Sequence, residues 1–400
     1  MPRNICFTLV WFSVLALCTA CGGGGARIPG GGNPNPTPTA QACAALPAST
    51  LSSDSLGGIV DAAVATEMKA QGMPGMTVAI AKNGVILYAQ GYGYADLSTC
   101  QPMQATAEMQ IGSITKQFTA AAVLQLQNAG LLDIDRTVVS YLPNYAFDPR
   151  ITLRMLLNQT SGLQDYLNFP SLQQYALTGA PESIALNAII QAPLLFQPGS
   201  AYAYSNSNYF ILGSVIEAVT SQTYADYLAA SVFPPAGLSN TSYLRPDPSA
   251  SPYTQGPSGP VAGKIPDPSA YFAAGQLWSN VQDMALWDAA LLSGKVIPQT
   301  LFNLMLTPAA VPYFQQAYPS DYGMGWLVGP SVAGASLAGH PFIWHNGETA
   351  SYTAFNGLFT DDGFSVTVLT NYSVSEGVAL LDFSTKLIQA ICNAPAAGGC

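Results

Sequence analysis

The 400-residue sequence predicts an α+β fold: one antiparallel sheet flanked by the terminal helices, with a large helical insert and a cleft between insert and sheet. Three observations lead there. Apolar runs of strand character sit near both ends of the chain, at about 76–90 and again after 323. Between them, from about 131 to 300, helix-like segments joined by Pro/Gly loops dominate. The composition allows a large core, since 49% of residues are hydrophobic and only 8% are charged.

The chain opens on a targeting segment, expected to cover 1–20. Arg3 gives a short positive start, and Ile5 to Leu17 is an apolar run too brief for a membrane span. Small residues precede Cys21 and glycines follow it, which resembles a lipoprotein cleavage site with Cys21 as the lipidated residue. Cys18 stands where such sites usually carry leucine, and ordinary secretion with nearby cleavage is the alternative. Residues 21–50 are Gly-rich and then Pro-rich, the composition of a spacer. The expected location is therefore outside the cytoplasm, periplasmic or at the cell surface, with any membrane attachment through a lipid anchor on a bacterial membrane. Export favours disulfides, and Cys43, Cys100, Cys392 and Cys400 form an even set with three possible pairings.

The folded domain is expected over 51–395, with a sheet subdomain at about 51–110 and 315–395 and a helical subdomain at about 111–314. Leu56, Ile59, Val60, Ala63, Val64 and Met68 mark one helix face, ended by Gly72. Asn83-Gly84 between the runs Met76–Ala81 and Val85–Gln90 predicts a tight hairpin. Gly91-Tyr92-Gly93 follows a hairpin strand and leads into no helix, so it is not a dinucleotide loop. Residues 114–129 are apolar on most sides, as in a core helix. Further helices are predicted at 181–191, 208–220, 224–230 and 280–292. The proline-rich stretch 245–270 reads as a long irregular loop. Strands return at 323–328, 342–344, 353–359 and 364–370, with Asp361-Asp362-Gly363 turning between the last two, before a final helix at about 378–391.

Net charge is −10, from 12 Lys+Arg against 22 Asp+Glu, with no basic cluster, which argues against a nucleic-acid partner. The two histidines and dispersed cysteines do not make a metal site by spacing, and no cofactor or metal is expected.

The chemistry is expected at Ile111-Gly112-Ser113-Ile114-Thr115-Lys116, a strand end, a glycine turn and a helix start. Three residues apart on a helix, Ser113 and Lys116 share a face. Unpaired N–H groups and the positive helix end favour negative charge on the serine, and a neutral lysine can take its proton. Such a motif is common by chance. Two later stretches add weight: Tyr204-Ser205-Asn206 before a helix, and His345-Asn346-Gly347 on a late strand.

With these three stretches in this order, the chain resembles the penicillin-recognising serine hydrolases: class C β-lactamases, D-Ala-D-Ala carboxypeptidases and related esterases. The resemblance covers about 51–392 and includes Leu156–Leu163, Phe196–Gly199, Ala273–Gly275 and Tyr322–Trp326. It implies the β-lactamase/transpeptidase-like fold and an acyl-enzyme on Ser113. It further implies Lys116 as base or proton relay, Tyr204 as proton carrier, and Asn206, His345, Asn346 and Gly347 at the substrate. The backbone N–H groups of Ser113 and Glu348 would form the oxyanion hole. The implied ligand is a small-molecule or peptide acyl substrate. Two departures stand out. Where many β-lactamases carry K-T-G, this chain has His345-Asn346-Gly347, and Gln159 replaces a common histidine. A mostly neutral His345 anchors a substrate carboxylate less well than lysine does. A carboxylesterase on small acyl esters and a weakly catalytic envelope protein that binds such ligands are the alternative readings.

Overall fold

The computed structural model describes residues 43, 55–245, 247–314, 321–329, 340–373 and 378–394. The expected signal segment, Cys21, the rest of the linker and Cys400 lie outside them. The chain divides into two units, Met1–Ala44, described only at Cys43, and Ala45–Cys400. Cys43, Cys100 and Cys392 are each disulfide-bonded.

In the larger unit, α1 (Leu56–Gln71) is capped by Ser55, whose hydroxyl accepts from Gly58 N at 3.1 Å, and stops at Gly72 in the left-handed region. The hairpin of β1 (Gly75–Lys82) and β2 (Val85–Asp96) turns at Asn83 (φ 52°) and Gly84 (φ 78°). Positive φ at both central residues matches the right-handed strand twist, which is why Asn-Gly marks the turn. β2 runs beyond the expected Gln90 and includes Gly91–Gly93. β3 (Gln101–Pro102) pairs with its far end, and β4 (Met109–Gln110) leads into the Ser113 turn.

The insert begins with α2 (Thr115–Asn128) and continues through α3 (Leu153–Leu157), α4 (Pro170–Gln173), α5 (Glu182–Gln191) and α6 (Asn206–Thr220). The helix expected at 224–230 is interrupted: α7 (Tyr224–Tyr227) passes through a π-turn at Leu228–Val232 into α8 (Phe233–Ala236). Pro234 and Pro235 lack the N–H groups that would continue an α ladder. The stretch read as irregular holds a hairpin, β5 (Tyr253–Gly256) and β6 (Gly259–Ala262). Four-residue strands, one with a proline, are too short to show an alternation. α9 (Pro268–Gly275), β7 (Trp278–Ser279), α10 (Val281–Leu292) and α11 (Gln299–Met305) follow.

The sheet then resumes. Instead of one strand at 323–328, β8 (Asp321–Tyr322) and β9 (Leu327–Val328) flank a turn with Gly325 at φ 80°. β10 (Phe342–Glu348), β11 (Thr353–Phe359) and β12 (Phe364–Thr370) are long, and β13 (Tyr372–Ser373) pairs parallel with β5. α12 (Val378–Cys392) closes the chain. The antiparallel sheet has the order β3-β2-β1-β12-β11-β10-β9-β8, so first and last segments meet where β1 pairs with β12. β11 and β12 are buried at every residue, which requires cover on both faces. α1 and α12 pack on one face, around Val60, Val78, Val366 and Leu387. α10 from the insert packs on the other, an arrangement the sequence did not disclose. No helix among the described residues is long and apolar enough to cross a membrane.

Candidate active site

Two glycines set the position of Ser113. Gly112 has φ 52°, and a Cβ there would stand 2.5 Å from the Glu348 amide nitrogen. On the crossing strand, a Cβ on Gly347 would run into the Ile111 carbonyl and stand 3.1 Å from Ser113 N. β10 and the turn before α2 therefore touch backbone to backbone, beside the amide nitrogens of Ser113 and Glu348. Side chains would push them apart. Ser113 lies in the 3₁₀ turn Gly112–Ile114 and remains partly exposed.

One turn on, Lys116 is fully buried. Its Nζ lies 2.9 Å from Ser113 Oγ, 2.8 Å from Asn206 Oδ1 and 2.7 Å from the Ala274 carbonyl oxygen. Burial lowers its pKa to about 7, against an opposing pull from Asp165. A neutral amine has two N–H groups and one lone pair. Asn206 Oδ1 and Ala274 O can only accept, so they claim the N–H groups and leave the lone pair facing the Ser113 hydroxyl. The neighbouring carbonyl of Ala273 accepts from Thr119 Oγ1 at 2.7 Å, which ties α9 to α2 beside the lysine.

Tyr204 approaches from the loop before α6. Its hydroxyl donates to Ser113 Oγ at 2.8 Å, and its ring centroid is 4.9 Å from Lys116 Nζ. Gln159, at φ 64°, holds that loop: its carbonyl accepts from Ala203 N and its Oε1 from Ser205 N, both at 3.0 Å. Gln159 also accepts from Asn208 Nδ2 at 2.5 Å. The residue that departs from the family pattern thus orders the tyrosine segment.

His345 lies behind this group, buried on β10, with its ring 6.2 Å from that of Tyr204. Its Nδ1 is 2.5 Å from the Asn346 carbonyl, which can only accept, so the proton is on Nδ1. Nε2 then accepts from Tyr322 OH at 3.2 Å. Burial, and next the Lys116 charge, lower its pKa to about 3. His345 is neutral at physiological pH and supplies no cation. Asn346 is partly exposed and Glu348 exposed beside the turn. His340, which matches no motif, pairs with Asp361 at 2.6 Å.

The structure brings Ser113, Lys116, Tyr204, Asn206, Gly347 and the Glu348 amide together, with His345 one layer back. Sequence reasoning missed three members. Tyr322 and the Ala274 carbonyl lie in stretches noted for their resemblance but given no role. Asp165, whose carboxylate accepts from Asn206 Nδ2 at 2.7 Å, carried no signal. Among the described residues, no three of His, Cys, Asp and Glu are placed to hold a metal ion.

Comparison with known proteins gives this geometry a family. The β-lactamase family model matches residues 60–390. A D-aminopeptidase of Cereibacter sphaeroides is 29% identical over 323 residues, 76% of this chain and 58% of that protein. The chain therefore spans less than two thirds of that relative's length. Among solved structures, a penicillin-binding protein homologue from Pyrococcus abyssi superposes with a TM-score of 0.72 at 24% identity, over 86% of this chain and 78% of that one. The hydrolase EstCE1 does so with a TM-score of 0.69 at 22% identity, over 84% and 98%. At these identities the superpositions carry the fold alone. With a family match over most of its length, the chain belongs to the β-lactamase family.

Proposed function

We propose that the protein is an exported serine hydrolase working through an acyl-enzyme on Ser113. The observation that carries this reading is the double approach to one oxygen: Ser113 Oγ lies 2.9 Å from Lys116 Nζ and 2.8 Å from Tyr204 OH. Lys116 takes the hydroxyl proton as Oγ bonds to the substrate carbonyl carbon. The oxyanion forms at the amides of Ser113 and Glu348. Collapse breaks the bond to the leaving group, which receives a proton through Tyr204. Water then attacks the ester, giving its proton to Tyr204 and Lys116, and Ser113 Oγ leaves with a proton. Asn206 has a second Nδ2 hydrogen beyond the one given to Asp165, and that group meets the acyl part of the substrate.

The neutral His345 favours substrates without a carboxylate on the leaving-group side of the scissile bond. Esters and D-amino-acid amides or peptides with a free amino end fit better than β-lactams or peptides ending in D-Ala-D-Ala, whose carboxylate needs a cation. The D-aminopeptidase relative is consistent with this preference. Export with a lipid anchor at Cys21 rests on the leader sequence, supported by disulfides at Cys43, Cys100 and Cys392. A panel of p-nitrophenyl esters, D-alanine p-nitroanilide, nitrocefin and a D-Ala-D-Ala peptide tests the reading. Turnover of the first two classes is expected to exceed that of the last two. Preferential turnover of nitrocefin would overturn the substrate assignment.

A further inference from the structure

We infer that Asp165 is a positioning residue for this reaction: it fixes which end of the Asn206 amide faces Lys116, and thereby where the Lys116 lone pair points. The inference rests on the proposed roles of Ser113 and Lys116. An asparagine amide has an accepting end and a donating end of nearly the same shape, so its neighbours decide its orientation. Asp165 is itself fixed. It caps the 3₁₀ turn Tyr166–Asn168, with Oδ1 accepting from Leu167 N at 3.0 Å. Its Oδ2 faces Asn206 Nδ2 at 2.7 Å. Burial raises the Asp165 pKa, opposed by the hydrogen bonds from Leu167 and Asn206 and by Lys116. Both of its oxygens face donors, Leu167 N and Asn206 Nδ2, and a carboxylate cannot donate, so the donating end of Asn206 turns toward it. The accepting end then faces Lys116 Nζ, at 2.8 Å.

A flipped Asn206 would set Nδ2 against the lysine amine and Oδ1 against the carboxylate. Lys116 would lose one of its two acceptors, and its lone pair would be free to turn to Asn206 instead of Ser113. The line Asp165–Asn206–Lys116–Ser113 thus runs in one hydrogen-bond direction. It also connects a negative charge to the lysine. The other titratable groups facing Lys116 are Tyr204 and Tyr209, with ring centroids 4.9 and 5.7 Å from Nζ, and His345 on β10. His345 is neutral, and burial holds the Tyr209 hydroxyl well above its usual pKa. Asp165 is the one acidic group among them, and in its ionised form it opposes the effect of burial on Lys116.

The test uses the whole protein, with Lys116 ionisation followed by ¹³Cε NMR and acylation followed as the burst from p-nitrophenyl acetate. In Asp165→Asn, the Lys116 midpoint is expected to fall below its wild-type value. The acid limb of the acylation profile should move down with it, and the acylation rate on the plateau should drop about tenfold or more. Exchanging the two residues (Asp165→Asn with Asn206→Asp) keeps one donor and one acceptor at the 165–206 contact, with the bond reversed, and sets the carboxylate against the lysine. The midpoint should then rise above wild type. A merely structural loss would not move the midpoint in opposite directions in these two proteins. Should Asp165→Asn fail to fold, Asp165→Ser keeps a cap for Leu167 N without the charge and carries the same expectations. A folded variant with a wild-type midpoint and a wild-type rate overturns the inference. A wild-type protein that shows neither a burst nor an acetyl or fluorophosphonate adduct by intact mass defeats the acyl-enzyme reading instead, and the NMR titration still decides whether Asp165 acts on Lys116.

Discussion

Gly347 crosses the Ile111 carbonyl so closely that any side chain at 347 would collide with the strand end before Ser113. That contact sets β10 backbone to backbone against the turn that carries Ser113. Gly347→Ala must displace either β10 or the Ser113 turn. The expected outcome is a loss in kcat of about 10²–10³, the scale for one oxyanion donor, with a smaller change in substrate affinity. Steady-state kinetics on an ester substrate measure this.

Lys116 needs its neutral form to accept the Ser113 proton, and burial sets its pKa at about 7. The neutral fraction falls as pH drops through that value. Acylation is therefore expected to decline about tenfold for each pH unit below it. Lys116→Met should remove this limb and lower acylation by roughly 10²–10⁴, while circular dichroism stays unchanged. An unchanged acylation rate in Lys116→Met would make Tyr204 the sole base.

His345 is expected to stay neutral, with its proton on Nδ1, because its pKa lies at about 3. Nitrogen-15 correlation spectra of the imidazole should show one tautomer across the neutral pH range, with no titration near the ordinary histidine value. A midpoint close to about 6.5 would restore the possibility of a cationic anchor for substrate carboxylates.

Asp288 on α10 is buried against the sheet, where its Oδ1 accepts from Asn356 Nδ2 at 2.9 Å. Burial raises its pKa to about 8. The folded pKa lies above the unfolded one, so this group's contribution to stability is complete below the unfolded pKa and is lost as pH rises through about 8. Wild-type melting temperature should therefore carry a decline from this group as pH rises from about 4 toward about 8, levelling off above that, and Asp288→Asn should flatten the decline. Calorimetry over this range compares the two.

The hairpin at Asn83-Gly84, the core helix after Ser113 and the late strands were legible because each is written in local pattern: turn chemistry, apolar periodicity, or alternation between turn residues. Ser113, Lys116 and Tyr204 were legible as short motifs whose order could be compared with a family. Other features depend on burial or on main-chain atoms, and no side-chain pattern reports those. The Ala274 carbonyl is a backbone group, and its aim at Lys116 depends on how α9 packs on α2. The neutrality of His345 follows from its enclosure by Tyr322, Tyr204 and β10. Asp165 is a single acid two residues beyond a recognisable stretch, and only folding brings it to Asn206, 41 positions away. The β5–β6 hairpin is too short to carry a period, and the π-turn after α7 became visible only with the backbone in place.

The most direct measurement is intact-protein mass spectrometry after exposure to a fluorophosphonate and, separately, to a penicillin. A single fluorophosphonate adduct on the wild-type protein, mapped to the peptide containing Ser113 and absent from Ser113→Ala, is the expected result, with slower or weaker uptake of the penicillin. A wild-type protein that takes up neither reagent, or an adduct that persists in Ser113→Ala, would contradict a nucleophilic Ser113 and leave a binding protein in place of an enzyme.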